Sequence, residues 1–78
     1  MKTRFIQERQ FSLEMGRIES DARDQCRLLE IVESACRDHA RHGMGYSFAR
    51  IVWKRRLLVW YEADDGGITL LSIRPDML

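Results

Sequence analysis

The sequence predicts an α+β fold in which helices pack on one face of an antiparallel β-sheet. Residues 8–42 carry apolar side chains at helical spacing, whereas residues 46–75 are rich in β-branched and aromatic residues. An Asp65-Gly66 pair lies between two strand-like stretches and predicts a hairpin turn. At 78 residues, the chain is predicted to form a single domain, 1–78.

The N-terminal half begins with KTRFIQ at residues 2–7, which is predicted to add a short strand to the sheet. The helical part follows and carries an apolar stripe with a nearly heptad spacing. The stripe consists of Phe11, Met15, Ile18, Ala22, Leu29, Val32 and Cys36. Leu28, Ile31 and Ala35 widen it. This wider apolar face is typical of a helix that packs on a sheet.

Two arrangements of the helical part stay open: one long helix, continuous or bent, and a helical hairpin. Gly16 costs up to ~1 kcal/mol inside a helix, and Ser20 and Asp21 are good N-cap residues, so a break between Gly16 and Ser20 would give a hairpin. The apolar stripe nevertheless keeps its phase across this segment, as a continuous helix requires. The glycines of GMG, residues 43–45, end the helical part.

Three strand-like stretches follow, and their short connections predict an antiparallel meander. They read YSFARIVW from residue 46, RLLVWYEA from residue 56 and ITLLSI from residue 68. KRR links the first two, and DDGG links the second and third. Asp65 and Gly66 are predicted to form a two-residue turn in which both residues take positive φ. Pro75 ends the last strand because it cannot donate a hydrogen bond to the ladder.

The predicted turn fixes the register and gives the sheet two apolar faces. It places Trp60 opposite Leu71 and Leu58 opposite Ile73, on the face opposite to that of Tyr61. One helical layer covers only one face, and each large apolar side chain left in water costs ~1.5 to 3 kcal/mol. The other face would be covered by the N-terminal strand or a first helix, by a second copy, or by a different macromolecule.

These considerations predict a non-enzymatic regulatory or inhibitory protein that binds a protein partner, of the type found in phages and mobile elements. A homodimer is the other form of association considered. The predicted apolar anchors are Trp53, Leu58, Trp60, Leu71 and Ile73. Arginines beside them, Arg50, Arg55 and Arg56, are expected to steer the partner or to pair with its carboxylates.

Other kinds of chemistry find less support in the sequence. Cys36, His39 and His42 are spaced three apart, as metal ligands on one helix could be, but no fourth ligand accompanies them, so neither a metal nor a cofactor is predicted. Cys26 and Cys36 would lie ~15 Å apart on one helix, too far for a disulfide. Reduced thiols, no signal peptide and no apolar run of membrane-spanning length predict a cytoplasmic protein without a membrane partner.

Nucleic acid is a further partner to weigh. The basic stretch around residues 50–56 lies beside Tyr46, Phe48 and Trp53, and cations next to stacking aromatic rings form single-strand platforms. The same four cations would equally suit a solvated turn. The net charge of +1 provides no overall field that attracts a polyanion.

Residues 45–74, GYSFARIVWKRRLLVWYEADDGGITLLSIR, resemble the closing section of the RelE/ParE superfamily of toxins from bacterial toxin–antitoxin pairs. The matching positions are Arg55 or Arg56, Tyr61, Glu62, Asp64, Asp65, Gly66 and Arg74. The resemblance implies a leading strand, a helical hairpin and a curved antiparallel sheet. It also implies either RNA cleavage that relies on Arg50, Arg55, Arg56, Tyr61 and Arg74, or gyrase binding without catalytic residues. The cationic surplus typical of the ribosome-dependent members is absent from this chain.

Overall fold

The computed structural model describes residues 3–41 and 43–77 and consists of two helices packed on one face of a four-stranded sheet. The predicted α+β class is therefore confirmed. In chain order, the elements are β1 (Arg4–Gln7), α1 (Arg9–Ile18), α2 (Ala22–Ala40), β2 (Gly45–Trp53), β3 (Arg55–Ala63) and β4 (Gly67–Pro75).

The helical part is broken, so of the two arrangements left open the two-helix one is observed. α1 ends at Ile18, and Asp21 caps α2 by accepting a hydrogen bond from the backbone N–H of Asp24 at 3.0 Å. The side-chain amide of Gln25 donates to the backbone carbonyl of Glu19 at 2.7 Å and holds the linker. α1 packs along β4, whereas α2 crosses β2 and β3, so each helix contacts the sheet by itself.

The strands lie in the order β1-β4-β3-β2, and β1 runs parallel to β4. The meander β2-β3-β4 is antiparallel, as the sequence predicts, and Ala63 lies opposite Ile68 on either side of the turn. The turn conformation was wrongly predicted: among the described residues, only Lys54 and Gly45 have positive φ. Asp64 instead closes the turn, because its Oδ1 accepts hydrogen bonds from two successive backbone N–H groups at 2.8 and 2.9 Å.

A β-bulge at Leu71 changes the register predicted for the rest of the hairpin. Tyr61 lies opposite Leu70, but its neighbour Trp60 lies opposite Ser72, so Leu71 is the extra residue of β4. The pairs beyond the bulge are Trp60↔Ser72, Val59↔Ile73 and Leu58↔Arg74. The predicted pairs of Trp60 with Leu71 and of Leu58 with Ile73 are therefore wrong. The extra residue reverses, relative to the predicted register, the face on which each later side chain of β4 lies. Ile73 therefore lies on the helix side.

The core lies between the helices and one face of the sheet. The apolar stripe supplies Phe11 and Met15 from α1 and Leu28, Val32 and Cys36 from α2, all buried. Alternate strand residues meet them: Ala49, Ile51, Leu57, Val59, Tyr61, Ala63, Ile68, Leu70 and Ile73. The period of two in the strands then directs the intervening side chains away from this core.

The two edges of the sheet differ. β1 covers only the first four residues of β4, and α1 lies against the remainder of that strand. The Glu14 carboxylate of α1 accepts hydrogen bonds from the backbone N–H of Ile73 at 3.3 Å and from the hydroxyl of Ser72 at 2.6 Å. At the other edge, no strand within residues 3–41 and 43–77 pairs with the outer side of β2.

Candidate functional site

The face of the sheet directed away from the helices, the open face, is the candidate site. Its side chains come from alternate positions of β2, β3 and β4 and belong to Tyr46, Phe48, Arg50, Val52, Arg56, Leu58, Trp60, Glu62, Thr69, Ser72 and Arg74. Tyr46 and Val52 are each 75% exposed, although both are large and apolar over most of their surface. The sequence-based expectation of an apolar second face is thus confirmed for β2 and β3.

An aromatic pair lies at the centre of the open face. Phe48 and Trp60 are directly opposite each other on β2 and β3, with ring centroids 5.1 Å apart and ring planes inclined by 52°. The two side chains keep 38% and 42% of their surface exposed. A pair in this geometry gains ~0.5 to 1.5 kcal/mol beyond its burial, which favours the observed placement of both rings.

Arginines lie on one side of the apolar centre. Arg50, Leu58 and Arg74 form one row across the three strands, so a half-buried leucine is flanked by two guanidinium groups. The Arg50 guanidinium also lies 5.7 Å from the Phe48 ring centroid, within the range of a cation–π contact. In the next row, Arg56 is exposed opposite Val52.

Carboxylates orient two of these arginines without covering them. Arg50 Nε lies 3.3 Å from Asp76, and Arg74 Nε donates to Glu14 at 2.7 Å. The two arginine side chains remain 62% and 63% exposed. Because a guanidinium has five N–H donors, each arginine retains donors for a carboxylate or phosphate of a ligand.

Trp53 does not lie on the open face. Its ring packs against the core on the helix side, and its indole N–H donates to Glu19 at 3.2 Å. Lys54 donates to the same carboxylate oxygen at 2.9 Å. These hydrogen bonds, the one from Lys54 foremost, lower the pKa of Glu19 below its usual value. The placement of Trp53 among the apolar anchors is therefore wrong, because its indole closes the end of the helical layer.

Arg55 and Arg56 are separated by the sheet. Arg55 lies opposite Trp53 and therefore belongs to the helix side, whereas Arg56 belongs to the open face. Lys54, between the two strands, binds Glu19 and lies 3.5 Å from Asp24 of α2. The basic stretch that is continuous in sequence is thus divided in space, and Arg50 and Arg56 alone carry its charge onto the open face.

Of the other predicted anchors, Leu58 and Trp60 lie on the open face and Ile73 does not. Ile73 is 1% exposed and belongs to the core because of the bulge. Leu71 is half-buried at the bulge itself. The predicted anchor set therefore includes one residue, Ile73, that no partner could contact in this conformation.

The open face contains residues that the sequence-based set omitted, above all Phe48, Tyr46, Val52 and Arg74. A signal for three of them was present: Tyr46, Phe48 and Val52 alternate along β2 on one side, which already groups them on one face. What the sequence did not supply was the pairing of that side with Trp60 and Leu58 of β3. Arg74 was not included in that set because its position on the open face depends on the bulge.

Three other residues considered for chemistry, Tyr61, Cys36 and His39, lie apart from the open face. Tyr61 is 2% exposed on the helix side, and its hydroxyl bonds to His39 Nδ1 and to Ser47. Burial is the main cause that raises the Tyr61 pKa, and burial also raises the pKa of Cys36 to about 12. Neither group supplies an anionic nucleophile near neutral pH. Tyr61 is therefore not placed to contact RNA, as the toxin resemblance would require.

Residues 3–41 and 43–77 contain no group of three or more His, Cys, Asp or Glu side chains that could hold a metal ion. His42, one of the three ligands weighed from the sequence, lies outside the described residues. Both cysteines are unpaired, Cys26 exposed and Cys36 buried. Within the described part of the chain, neither helix has the length and apolar character needed to cross a membrane.

Comparisons with known proteins leave the site to be interpreted from its own geometry. No protein-family model, no curated protein and no solved structure matches this chain.

Proposed function

We propose that the protein is a non-enzymatic regulator or inhibitor that binds a protein partner through the open face of its sheet. The observation that carries this proposal is the Phe48–Trp60 pair, two large aromatic side chains held in contact with each other and left about 40% exposed at the centre of the face. Aromatic residues in such central positions dominate the binding energy of many protein interfaces. A contiguous exposed apolar patch commonly marks an interaction site.

The side chains around that pair define the chemistry of the partner. Leu58 and Val52 extend the apolar area, while Arg50, Arg56 and Arg74 supply cations on one side of it. A fitting partner segment presents apolar side chains to the aromatic pair and Asp or Glu to the arginines. We place this binding in the cytoplasm, where two unpaired thiols are stable.

The proposal can be tested with a displayed random-peptide library selected on the immobilised protein. We expect the selected peptides to combine aromatic or aliphatic residues with nearby Asp or Glu. Trp60→Asp should abolish the enrichment, because it places a carboxylate at the centre of the patch. The matched control is Leu13→Asp, since Leu13 is 51% exposed on α1, in the helical layer. That variant should select the same peptides as the wild type.

The proposal is overturned if the wild type enriches no common sequence, or if Trp60→Asp selects the same peptides as the wild type. Circular dichroism of both variants establishes that they are folded. If Trp60→Asp is unfolded, Trp60→Ser provides the comparison, because it removes the ring without introducing a charge.

A second candidate, a RelE/ParE-like toxin acting on RNA, translation or gyrase, is favoured by one observation. A leading strand, two helices and three further strands follow one another in the order that the resemblance implies. The test is expression in a bacterial host. Growth arrest that is relieved by replacing Arg55, Arg56 and Arg74 with alanine supports the toxin, and normal growth at high expression contradicts it.

A further inference from the structure

The outer edge of β2 is the longer of the two edges of the sheet. β2 has nine residues, and it pairs with β3 without a register shift from Gly45↔Ala63 to Trp53↔Arg55. Natural edge strands are usually protected by proline, lysine, a bulge or short length. β2 contains no proline, lysine or bulge, and Arg50 is its only charged residue. A long, regular and largely apolar edge of this kind is a template for another strand.

We propose that the β2 strand of a second copy pairs antiparallel with β2, so that two four-stranded sheets join into one across a two-fold axis. This inference does not rest on the proposed function, because the observation behind it is the outer edge of β2, unpaired within the described residues.

The state of the opposite edge favours a second copy as the occupant. There, β1 and α1 already cover β4, with Glu14 bonded to the backbone N–H of Ile73. The free side of that edge belongs to β1, which has only four residues, a length that makes an edge strand a poor template. An antiparallel pair of identical β2 strands uses the same edge in both copies, so it closes as a dimer and does not extend into a filament.

The side chains of β2 are complementary to themselves in one register. When Ala49 lies opposite Ala49 of the second copy, Phe48 faces Arg50 and Tyr46 faces Val52 across the axis. Arg50 already lies 5.7 Å from the Phe48 ring centroid within one chain, so this pair of groups is chemically compatible. Tyr46 and Val52, each 75% exposed in the single chain, would shield each other.

Charge further restricts the register. A two-fold axis through Arg50 would set two guanidinium groups directly opposite each other, which is destabilising. The Ala49-centred register separates them and gives each an aromatic neighbour. The net charge of +1 per chain adds little repulsion between the copies.

Two measurements on the full chain test the proposal together. Sedimentation equilibrium should show a concentration-dependent species of twice the 9.2 kDa chain mass. Amide hydrogen exchange should be followed residue by residue at protein concentrations above and below the dissociation constant of this dimer. Successive N–H groups of an antiparallel strand point alternately towards each neighbour. Alternate amides of Gly45–Trp53 should therefore be protected at both concentrations, and the intervening ones only in the dimer.

A charge variant tests the register. Phe48→Arg places an arginine opposite Arg50 of the second copy at two equivalent positions, and we expect the dimer Kd to rise about tenfold or more. Thr69→Arg is the matched control, because Thr69 lies on the same open face but on β4, away from the β2 edge. Its dimer Kd should equal that of the wild type.

A chain that stays monomeric overturns the proposal. So does a dimer in which the outward amides of β2 exchange as fast as in the monomer, because that result indicates packing through the open face. An unchanged Kd for Phe48→Arg overturns the Ala49-centred register. If Phe48→Arg does not fold, the exchange pattern of the wild type alone tests whether β2 pairs with a second copy. The peptide selection is a separate readout, because it tests Trp60 on the open face and not the outer edge of β2.

Discussion

The Glu14 carboxylate accepts a hydrogen bond from the backbone N–H of Ile73, at 3.3 Å. A side chain of α1 thus occupies the place where another strand would continue the sheet, and it satisfies an edge group that would otherwise lack a partner. The same carboxylate binds Ser72 and Arg74. One residue therefore joins the helical layer to β4, covers part of its edge beyond β1 and orients an arginine of the open face.

Replacing Glu14 should reduce stability in a pH-dependent way. Burial opposes its ionisation, but hydrogen bonds outweigh that effect and lower its pKa below the usual 4.5. The donors are Ser72, Arg74, Gln10 and the backbone of Ile73. Because the pKa is lower in the folded state, the carboxylate stabilises the protein above about pH 4.5, and this contribution is lost as the pH falls through the folded-state pKa.

Glu14→Gln is therefore expected to lower the free energy of unfolding by ~1 to 3 kcal/mol at pH 7 and to weaken the acid dependence. Urea unfolding of both proteins between neutral and acidic pH measures this difference, which should shrink as the pH decreases. Equal unfolding midpoints at pH 7 would show that the Glu14 network contributes nothing to stability.

The link between β2 and β3 depends on a strained lysine. Lys54 has φ of 58°, a left-handed conformation that costs a residue with a Cβ roughly 1 to 2 kcal/mol. Its ammonium group binds Glu19 at 2.9 Å, a contact that any shorter side chain loses. Lys54→Ala should therefore be less stable than Lys54→Gly, by about 1 kcal/mol, since only glycine relieves the strain. Thermal unfolding compares the two, and a more stable alanine variant would refute this explanation.

The parallel pairing of β1 with β4 requires a glycine. A Cβ on Gly67 would lie 2.2 Å from the carbonyl oxygen of Arg4, inside van der Waals contact with backbone. Gly67→Ala should separate β1 from β4 and lower the unfolding free energy by ~1 to 3 kcal/mol. At Gly66, a Cβ would meet only Asp64 at 3.6 Å, so Gly66→Ala is the control with a smaller effect. Similar losses for both variants would argue against this β1 placement.

Because of the bulge, two apolar residues of β4 should contribute unequally to stability. Ile73→Ala removes a side chain that is 1% exposed and should cost ~2 to 5 kcal/mol. Leu71→Ala, at the half-buried bulge position, should cost less. Chemical denaturation of both variants gives the comparison. Similar losses for the two variants would instead favour the register without a bulge, which sets both residues on the same face of the sheet.

The elements that the sequence predicted well are those set by local patterns. The helical stripe, the good N-cap at Asp21 and the alternation in the strands each depend on residues close to one another in the chain. The turn is a similar case, because Asp64 accepts hydrogen bonds from Gly66 and Gly67, two and three residues after it. Its backbone conformation differed from expectation, since an Asp side chain replaced the positive φ values.

The features that escaped prediction depend on distant partners. Nothing in ITLLSI marks Leu71 as a bulge, because no glycine or proline accompanies it. Glu14 lies 58 residues before the serine that it binds, so its role could not be inferred from spacing. Trp53 was assigned to the wrong surface because its partner, Glu19, lies in the linker between the helices. Four of the eleven residues of the open face were nevertheless in the set predicted from the sequence: Leu58, Trp60, Arg50 and Arg56.

The most direct test of the account is the affinity of a peptide selected on the wild type, measured by isothermal titration calorimetry with three proteins. Trp60→Asp should weaken binding about thirtyfold or more, as expected for the loss of a central aromatic anchor. Leu13→Asp should bind as the wild type does. Equal affinities for the wild type and Trp60→Asp would contradict the claim that this protein acts through the open face of its sheet.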